Sequence, residues 1–281
     1  MSGVDLTAMA ADPGGVLVAL DFDGTLARIV ENPAEAAAHP EIPGVLARLE
    51  SEVACLAVIT GRPARVAASR SGLASIAVTR IARGGTVRPN HIVVLGHYGA
   101  ERWDGSTLQV SAPPVHHGVV EAKRTVQDQI DDGTLPDGST VEDKGRSVAV
   151  HTRPADEPGP AAAEAEELLT PLAERLGLTV EPGRFVVELR PPGSDKGSAL
   201  RDLVERVDPT GVIYIGDDLG DIPAFEEIAR MRERGLPALA ICSGSDEVTE
   251  LTEHADLILK GPGGVATWLA ELAAALRANS D

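Results

Sequence analysis

The sequence predicts an α/β fold in which a parallel sheet carries an inserted α+β domain, and three observations lead to it. Apolar runs without alternation, such as Val16–Leu20, are typical of strands that are buried on both faces of a parallel sheet. Helix-like stretches separate these runs near both ends of the chain, which is the rhythm of βαβ units. Between them, polar and apolar residues alternate, as they do in a half-buried antiparallel sheet.

The outer parts of the chain give the elements of the parallel sheet in order. VLVALDF predicts a strand, PGVLARLESE a helix, CLAVITGR a second strand and ARVAASRSG a helix that ends at Gly72. The rhythm returns later as the helix KGSALRDLVERV, the strand GVIYIGDD, the helix IPAFEEIARMRERG, the strand ALAICSG and the helix GVATWLAELAAALRA. We expect residues 1–108 and 192–281 to form this core, with the ends at roughly 1–14 and 276–281 loosely held.

The middle of the chain predicts a separate α+β domain over residues 109–191. Residues 139–153 alternate as a strand pair does, 160–177 read as an amphipathic helix, and 185–191 read as another strand. Proline-rich segments stand at both ends of this stretch, which is usual at a domain boundary.

Composition excludes some classes of partner. The 281 residues include 43 Asp and Glu against 25 Lys and Arg, a formal net charge of −18. Such a surface argues against nucleic acid or an anionic membrane as a partner.

Cys55 and Cys242 lie in apolar runs, so we expect reduced core thiols rather than a disulfide or a metal pair. The first residues lack the pattern of a signal peptide and no apolar run is long enough to cross a bilayer, so we expect a cytoplasmic protein.

Two aspartates, Asp21 and Asp23, directly follow the first predicted strand. Positions i and i+2 of an extended chain point to the same side, so the two carboxylates are expected to converge where open α/β sheets place their ligands. Gly24 lets the chain turn sharply just after them. A carboxylate pair beside glycine is also what an ordinary acidic turn looks like, so the motif alone leaves both interpretations open.

Three later features fall in equivalent places, at the ends of strands or the start of a helix. They are Thr60, Gly61 and Arg62 after a second strand, Lys196 at the start of a helix, and Asp217, Asp218 and Asp221 after another buried strand. A cation and free backbone N–H groups at a helix start can both face an anion. Each feature alone has a structural explanation, as a strand-ending threonine, a surface lysine or an N-capping acidic loop.

Together these residues indicate phosphate chemistry. Several carboxylates in one place repel each other unless a cation neutralises them, and all-oxygen ligation suits Mg²⁺. Thr60 and Lys196 could hold a phosphate against that ion, and a carboxylate nucleophile that attacks phosphorus gives an aspartyl-phosphate. The metal and the lysine would neutralise charge on the transferring phosphoryl group.

Four motifs, the aspartate pair after the first strand and the three later features, resemble those of the haloacid dehalogenase superfamily in their order along the chain and in their places at strand ends or a helix start. The core of that superfamily is a Rossmann-like parallel sheet. The resemblance implies that Asp21 is the nucleophile and that Asp23 protonates the leaving oxygen and later activates water. It assigns the other roles as follows: Mg²⁺ to Asp21, the backbone carbonyl of Asp23 and Asp217; phosphate to Thr60, Gly61 and Lys196; and support of the metal and the lysine to Asp218 and Asp221.

Further motifs narrow the resemblance. The span from Thr60 to Lys196 holds the predicted α+β domain, which would be the cap. The much shorter span from Asp21 to Thr60 leaves no room for a domain between the first two motifs. GHYGAERW, VEDKGRSVAVHTR and FVVELRPPGSDKGSAL are similar to stretches of trehalose-6-phosphate phosphatases. In that family, cap residues that match Glu142, Lys144 and Glu188 contact the sugar that carries no phosphate. From the residues alone, Glu142 and Lys144 could be a solvated pair, and Glu188 the polar position of an alternating strand.

Arg62 and His97 complete the substrate-binding candidates, although Tyr98 stands where the family has its histidine. The resemblance implies a Mg²⁺-dependent trehalose-6-phosphate phosphatase whose partner is a small sugar phosphate. Three alternatives stay open: a phosphatase for another sugar or pseudo-disaccharide phosphate, a non-catalytic sugar-phosphate sensor, and a phosphomutase. Mutases of the superfamily commonly carry their cap between the first two motifs, where this chain has no room. The sequence predicts no oligomeric state.

Overall fold

A computed structural model describes residues 6–30, 35–183, 185–193, 195–244 and 250–278. The chain divides into two compact units, the large unit, Met1–Ala112 with Asp195–Asp281, and the inserted unit, Pro113–Ser194. The strands, numbered along the chain, are β1 Val16–Leu20, β2 Cys55–Ile59, β3 Ile92–Gly96, β4 Glu101–Asp104, β5 Gln109–Ser111, β6 Thr140–Asp143, β7 Val148–His151, β8 Thr179–Gly183, β9 Val186–Arg190, β10 Gly211–Gly216, β11 Ala238–Gly244 and β12 Leu257–Lys260. The helices are α1 Leu6–Ala11, α2 Ile42–Leu49, α3 Ala64–Arg70, α4 Leu73–Ala82, α5 His117–Asp131, α6 Pro158–Leu176, α7 Lys196–Val207, α8 Ile222–Glu233 and α9 Gly261–Ala278.

The large unit is built on a sheet with the strand order β12-β11-β10-β1-β2-β3-β4-β5. The strands from β12 to β3 run parallel, which confirms the predicted α/β class. An antiparallel edge of β4 and β5, which the sequence did not predict, extends the sheet. The central strands β1, β2, β3 and β10 are buried along their whole length. Alternate residues of β1 pack on opposite faces, Val18 in one hydrophobic core and Leu17 in the other, which explains why the run does not alternate.

The winding of the sheet reverses at its centre. β1 pairs with β2 on one side and with β10 on the other, and later strands extend the sheet outward from each of these neighbours. The backbone N–H of Asp21 donates to the carbonyl of Ile215 over 2.8 Å, so the carboxyl ends of β1 and β10 are joined. Ligands of open α/β sheets bind in the crevice beside such a reversal, and the predicted carboxylates follow these same two strands.

The inserted unit is an antiparallel sheet in the order β6-β7-β9-β8, with α5 and α6 packed on one face. Val150, Val187 and Leu169 lie in the core between them. The predicted strand pair, helix and last strand correspond to β6 with β7, α6 and β9. The sequence did not predict α5, whose apolar residues are few and small, or β8, which ends in proline and glycine, residues that disfavour strands.

Several smaller expectations also have an outcome. Met9 and Leu276 are each 1% exposed, so the predicted looseness of the ends is wrong there, and residues 1–5 and 279–281 lie outside the described residues. Cys55 and Cys242 are free and buried as expected, and burial raises the pKa of their thiols to about 12 and about 11. Among the helices of the described chain, none combines the length and apolar character needed to cross a membrane.

Candidate active site

The end of β1 places Asp21 and Asp23 in different surroundings. Asp21 is buried, whereas the side chain of Asp23 is 39% exposed. Both oxygens of Asp23 accept hydrogen bonds from Arg62, which donates from Nε and Nη2 over 2.6 Å each. Such a bidentate pair fixes the plane of the carboxylate as well as its position. The predicted substrate-binding Arg62 therefore lies on the predicted acid/base residue.

Asp21 belongs to a buried acidic cluster, together with Asp217 and Asp221. Oxygen atoms of these three side chains lie within 4.8 Å of one another. Lys196, the first residue of α7, inserts its Nζ among the carboxylates, 3.1 Å from Asp21 Oδ1, 2.8 Å from Asp221 Oδ1 and 3.7 Å from Asp218 Oδ1. The sequence placed all five residues at one end of the sheet, and the structure brings them together there.

The carboxylates of this cluster outnumber the cation. Burial, with the other acids, raises the pKa of Asp21 well above its ordinary value and that of Asp217 to about 10, although Lys196 opposes the shift. Burial alone would lower the pKa of Lys196, but the charges of Asp21, Asp221 and Asp218 outweigh it and raise that pKa. When ionised, these carboxylates therefore carry more negative charge than Lys196 alone can neutralise.

Asp221 differs from its neighbours because its oxygens are already saturated. Oδ1 accepts from Lys196 and from the Tyr214 hydroxyl over 2.6 Å, and Oδ2 accepts from the backbone N–H groups of Asp217 and Asp218. These donors outweigh burial and lower the pKa of Asp221. Asp221 thus anchors the loop and the lysine, which leaves Asp21 and Asp217 as the side chains with oxygens to offer a cation.

Glycines make room for this cluster. Gly24 has φ +72°, and a Cβ there would overlap Oδ2 of Asp217. Thr25 donates to Oδ1 of Asp217 over 3.4 Å, and Ser243 donates to the Gly24 carbonyl over 2.8 Å. The loop after β1 is therefore held against Asp217, and only glycine allows the approach.

The predicted phosphate-binding residues end β2 beside a strained loop. Thr60 is buried, and its hydroxyl accepts from the Arg62 backbone N–H over 3.2 Å. His97, Tyr98 and Gly99 follow β3 with φ values of +47°, +57° and +97°, and the N–H of Tyr98 donates to the Thr60 carbonyl over 3.0 Å. Consecutive left-handed residues cost energy and occur most often at functional sites.

His97 and Tyr98 take different positions in this loop. His97 is buried with Nε2 4.0 Å from Glu101 Oε1. Tyr98 covers Gly61, since a Cβ at Gly61 would lie 2.7 Å from its hydroxyl oxygen. Tyr98 therefore covers the predicted phosphate loop, and substrate binding by His97 stays a prediction.

In the inserted unit, Glu142, Lys144 and Glu188 do not pair as the sequence alternative expected. Lys144 Nζ donates to Oε2 of Glu188 over 2.6 Å, across from β6 to β9. Glu142 instead lies 2.8 Å from Nε2 of His151 on β7. Glu188 is buried, at 6% exposed.

Comparison with known proteins decides the family. The sequence model for trehalose-phosphatases matches residues 19–256. The chain belongs to the trehalose-phosphatase family. The match runs from β1 through the inserted unit to the segment before β12, so it includes every predicted site residue.

Relatives in the trehalose-phosphatase family agree over most of the chain. A trehalose-phosphate phosphatase of Mycobacterium marinum is 32% identical over 271 residues, covering 92% of this chain and 62% of the relative. The chain therefore spans less than two thirds of that protein's length. A probable trehalose-phosphate phosphatase of Sinorhizobium fredii is 28% identical over 232 residues, covering 80% of this chain and 78% of the relative.

Solved structures support the fold of the trehalose-phosphatase family for this chain. The C-terminal domain of a Candida albicans trehalose-6-phosphate phosphatase superposes with a TM-score of 0.76 at 20% identity, over 97% of each chain. A haloacid dehalogenase-like hydrolase from Bacteroides thetaiotaomicron superposes with a TM-score of 0.61 at 18% identity, over 91% of this chain and 98% of the other. At these identities the likeness concerns architecture alone.

Sequence reasoning missed three residues that bind predicted site residues, two in the large unit and one in the inserted unit. Tyr214 binds Asp221 from inside β10, Thr25 binds Asp217, and His151 binds Glu142. A hydroxyl in the otherwise apolar run GVIYIG was a usable signal for Tyr214, since a buried phenol needs a partner. Nothing in the sequence marks His151 apart from its place at the end of an alternating strand.

Proposed function

We propose that the chain is a Mg²⁺-dependent phosphatase that hydrolyses trehalose 6-phosphate to trehalose and phosphate through an aspartyl-phosphate on Asp21. The observation that carries the proposal is the acidic cluster around Lys196, at the reversal of the sheet in a chain of the trehalose-phosphatase family. The large unit would perform the chemistry and the inserted unit would select the sugar. A cytoplasmic location stays a prediction from the sequence.

The residues present fit a hard dication. The ligand atoms are all oxygens, and the buried carboxylates of Asp21, Asp217 and Asp221 lie around a single lysine, which supports a site for an added cation. Mg²⁺ held by these two side chains, with the Asp23 carbonyl that the family resemblance adds, would supply charge neutralisation for the phosphoryl group. Asp221 would hold Lys196 instead of the ion, because its oxygens are occupied.

The chain's own residues account for the two steps. An oxygen of Asp21 attacks phosphorus, the bond from phosphorus to the sugar oxygen breaks, and that oxygen takes a proton from Asp23. Water then attacks the aspartyl-phosphate and gives a proton to Asp23, which regenerates the Asp21 carboxylate and releases phosphate. Thr60 and Lys196 bind the phosphate oxygens throughout.

The hydrogen bonds from Arg62 to Asp23 restrict when Asp23 can transfer a proton. Both oxygens of Asp23 accept from Arg62, so Asp23 can take up from solvent the proton that it gives to the leaving oxygen only after the pair loosens. The substrate phosphate is a second anion that competes for the guanidinium. In this proposal Arg62 moves its hydrogen bonds to the substrate, and Asp23 becomes available only when a phosphate is bound.

Phosphate release from a panel of sugar phosphates, with Mg²⁺ and with EDTA, tests the proposal. The expected result is Mg²⁺-dependent release from trehalose 6-phosphate that exceeds release from other sugar phosphates and disappears in Asp21→Asn. Preference for another sugar phosphate would support the proposed reaction but contradict trehalose 6-phosphate as the substrate. Binding of trehalose 6-phosphate without release of phosphate would favour the non-catalytic sensor. Turnover that persists in EDTA would contradict the Mg²⁺ requirement.

A further inference from the structure

The His151–Glu142 pair lies on the face of the inserted sheet that is turned away from α5 and α6. Asp143 pairs with Lys123 of α5 over 2.6 Å, so the side chain of Asp143 points to the helices. Neighbouring residues on a strand point to opposite faces, so the side chain of Glu142 points away from them. A carboxylate only accepts hydrogen bonds, so the N–H of this pair must be on Nε2 of His151.

The register places three glutamates in one row across this face. Glu142 pairs in register with Ala149, Ala149 with Glu188, and Glu188 with Glu181. Like charges placed directly opposite each other destabilise a sheet. Each carboxylate here has its own base, His151 for Glu142, Lys144 for Glu188 and Arg190 for Glu181. The row therefore gives each carboxylate a basic partner while presenting many hydrogen-bonding oxygens.

A second observation indicates a ligand on this row. Oε1 of Glu188 is buried and has no hydrogen-bond partner among the residues that the structure describes, although Oε2 is bound by Lys144. A buried carboxylate oxygen without a donor is costly, so a donor from outside the protein is expected there. Sugar hydroxyls are neutral donors that would satisfy it without adding charge to the row.

Burial restricts the side chain of Glu188 but not that of Glu142, which is 44% exposed. A hydrogen-bond partner is therefore required to fix the orientation of the Glu142 carboxylate. An exposed glutamate samples many rotamers, and fixing one of them weakens binding unless the rotamer is set in advance. We propose that His151 is a positioning residue that presets the Glu142 carboxylate for a sugar hydroxyl of the substrate. The inference rests on the proposed function, and the role of His151 is exerted entirely through Glu142.

A double-mutant cycle on the full chain tests this role, with trehalose 6-phosphate and p-nitrophenyl phosphate as substrates. His151→Ala is expected to raise KM for trehalose 6-phosphate about tenfold, with kcat and p-nitrophenyl phosphate hydrolysis almost unchanged. In the Glu142→Ala background, His151→Ala should add no further loss. His151→Gln can still donate to Glu142 and should recover most of the affinity.

Lys123→Ala is the matched control, since it breaks an acid–base pair of similar N–O distance, 2.6 Å against 2.8 Å for His151 and Glu142, one residue along β6 on the opposite face. It should leave KM for both substrates unchanged. An unchanged KM in His151→Ala, equal losses on both substrates, additive losses in the cycle, or no recovery in His151→Gln would each overturn the proposal. Failure of the proposed function is distinguishable, because the wild-type chain would then show no preference for trehalose 6-phosphate over p-nitrophenyl phosphate.

Discussion

The two units differ in how the negative charge of their carboxylates is compensated. In the large unit, Asp21, Asp217, Asp218 and Asp221 share Lys196, and the pKa of Asp21, Asp217 and Asp218 is raised by burial in that shared field. In the inserted unit, each glutamate of the row has its own base. In the first arrangement several carboxylates compete for one cation and a second cation would relieve their repulsion, whereas in the second each carboxylate already has a basic partner. In the proposed function, the shared cation belongs to the unit that performs the chemistry and the separate pairs belong to the unit that selects the sugar.

The largest expected effect is at Asp21. Asp21→Asn removes the nucleophile and should lower phosphate release by roughly 10⁴-fold or more for every substrate. The thermal transition should not fall, because the buried charge that the substitution removes is one that burial disfavours. Phosphate release and thermal unfolding, measured on the same sample, check both statements. A folded variant with near-normal release would remove Asp21 from the mechanism.

Asp217→Asn should act through the metal. The amide is a weaker ligand, so the Mg²⁺ concentration for half-maximal activity should rise about 10- to 100-fold while saturating Mg²⁺ restores part of the rate. A Mg²⁺ titration of activity, beside calorimetric titration of Mg²⁺ in the absence of substrate, measures it. The control is Asp218→Asn, whose side chain is more exposed and should change Mg²⁺ affinity less. An unaltered Mg²⁺ requirement in Asp217→Asn would contradict the assignment.

The third effect belongs to selection. Glu188→Gln keeps the shape of the side chain and removes its charge, and charged hydrogen bonds contribute about 1.5–3 kcal/mol each. We expect kcat/KM for trehalose 6-phosphate to fall roughly 10- to 100-fold and that for p-nitrophenyl phosphate to stay within about twofold. Parallel losses on the two substrates would show that Glu188 supports the fold or the chemistry, and would break the contrast between the units.

Asp143 gives the smallest effect. Hydrogen bonds from Lys123 and from the Gly145 N–H lower the pKa of this largely exposed carboxyl. A folded-state pKa below the unfolded value adds stability above the unfolded pKa, near pH 4, and that stability is lost as the pH falls through the folded pKa. Asp143→Asn should therefore cost less than about 1 kcal/mol at pH 7 and almost nothing near pH 3. Urea unfolding at both pH values measures the difference, and a constant deficit would refute the linkage.

The sequence predicted the parts of the fold that depend on local pattern. β1, β10 and α7 lie where the unalternated runs and the helix start placed them, so the ends that carry Asp21, Asp217 and Lys196 were correct. The strands β4 and β5 were not predicted because they are short and lie at an edge of the sheet, where most of their residues are not buried and a continuous apolar run is not required.

Pairing between distant residues could not be predicted in the same way. Arg62 meets Asp23 because β1 and β2 are neighbours, and Lys144 meets Glu188 because β6 and β9 both pair with β7. Strand order fixes such partners, and periodicity within one segment carries no information about it. The αL conformations of His97 and Tyr98 are equally invisible in sequence, since ordinary side chains seldom adopt them.

The position of β1 at the centre of the sheet has a consequence for biosynthesis. Leu17 of β1 can pair early with Cys55 of β2, but its other partner, Val212 of β10, is translated only after the whole inserted unit. At about 5–20 residues per second, this leaves one apolar edge of β1 unpaired for roughly 10–40 s. The inserted unit is continuous in the chain and can close its own sheet within that interval. We therefore expect nascent chains that stop before β10 to hold a folded inserted unit beside an open, chaperone-dependent β1 edge.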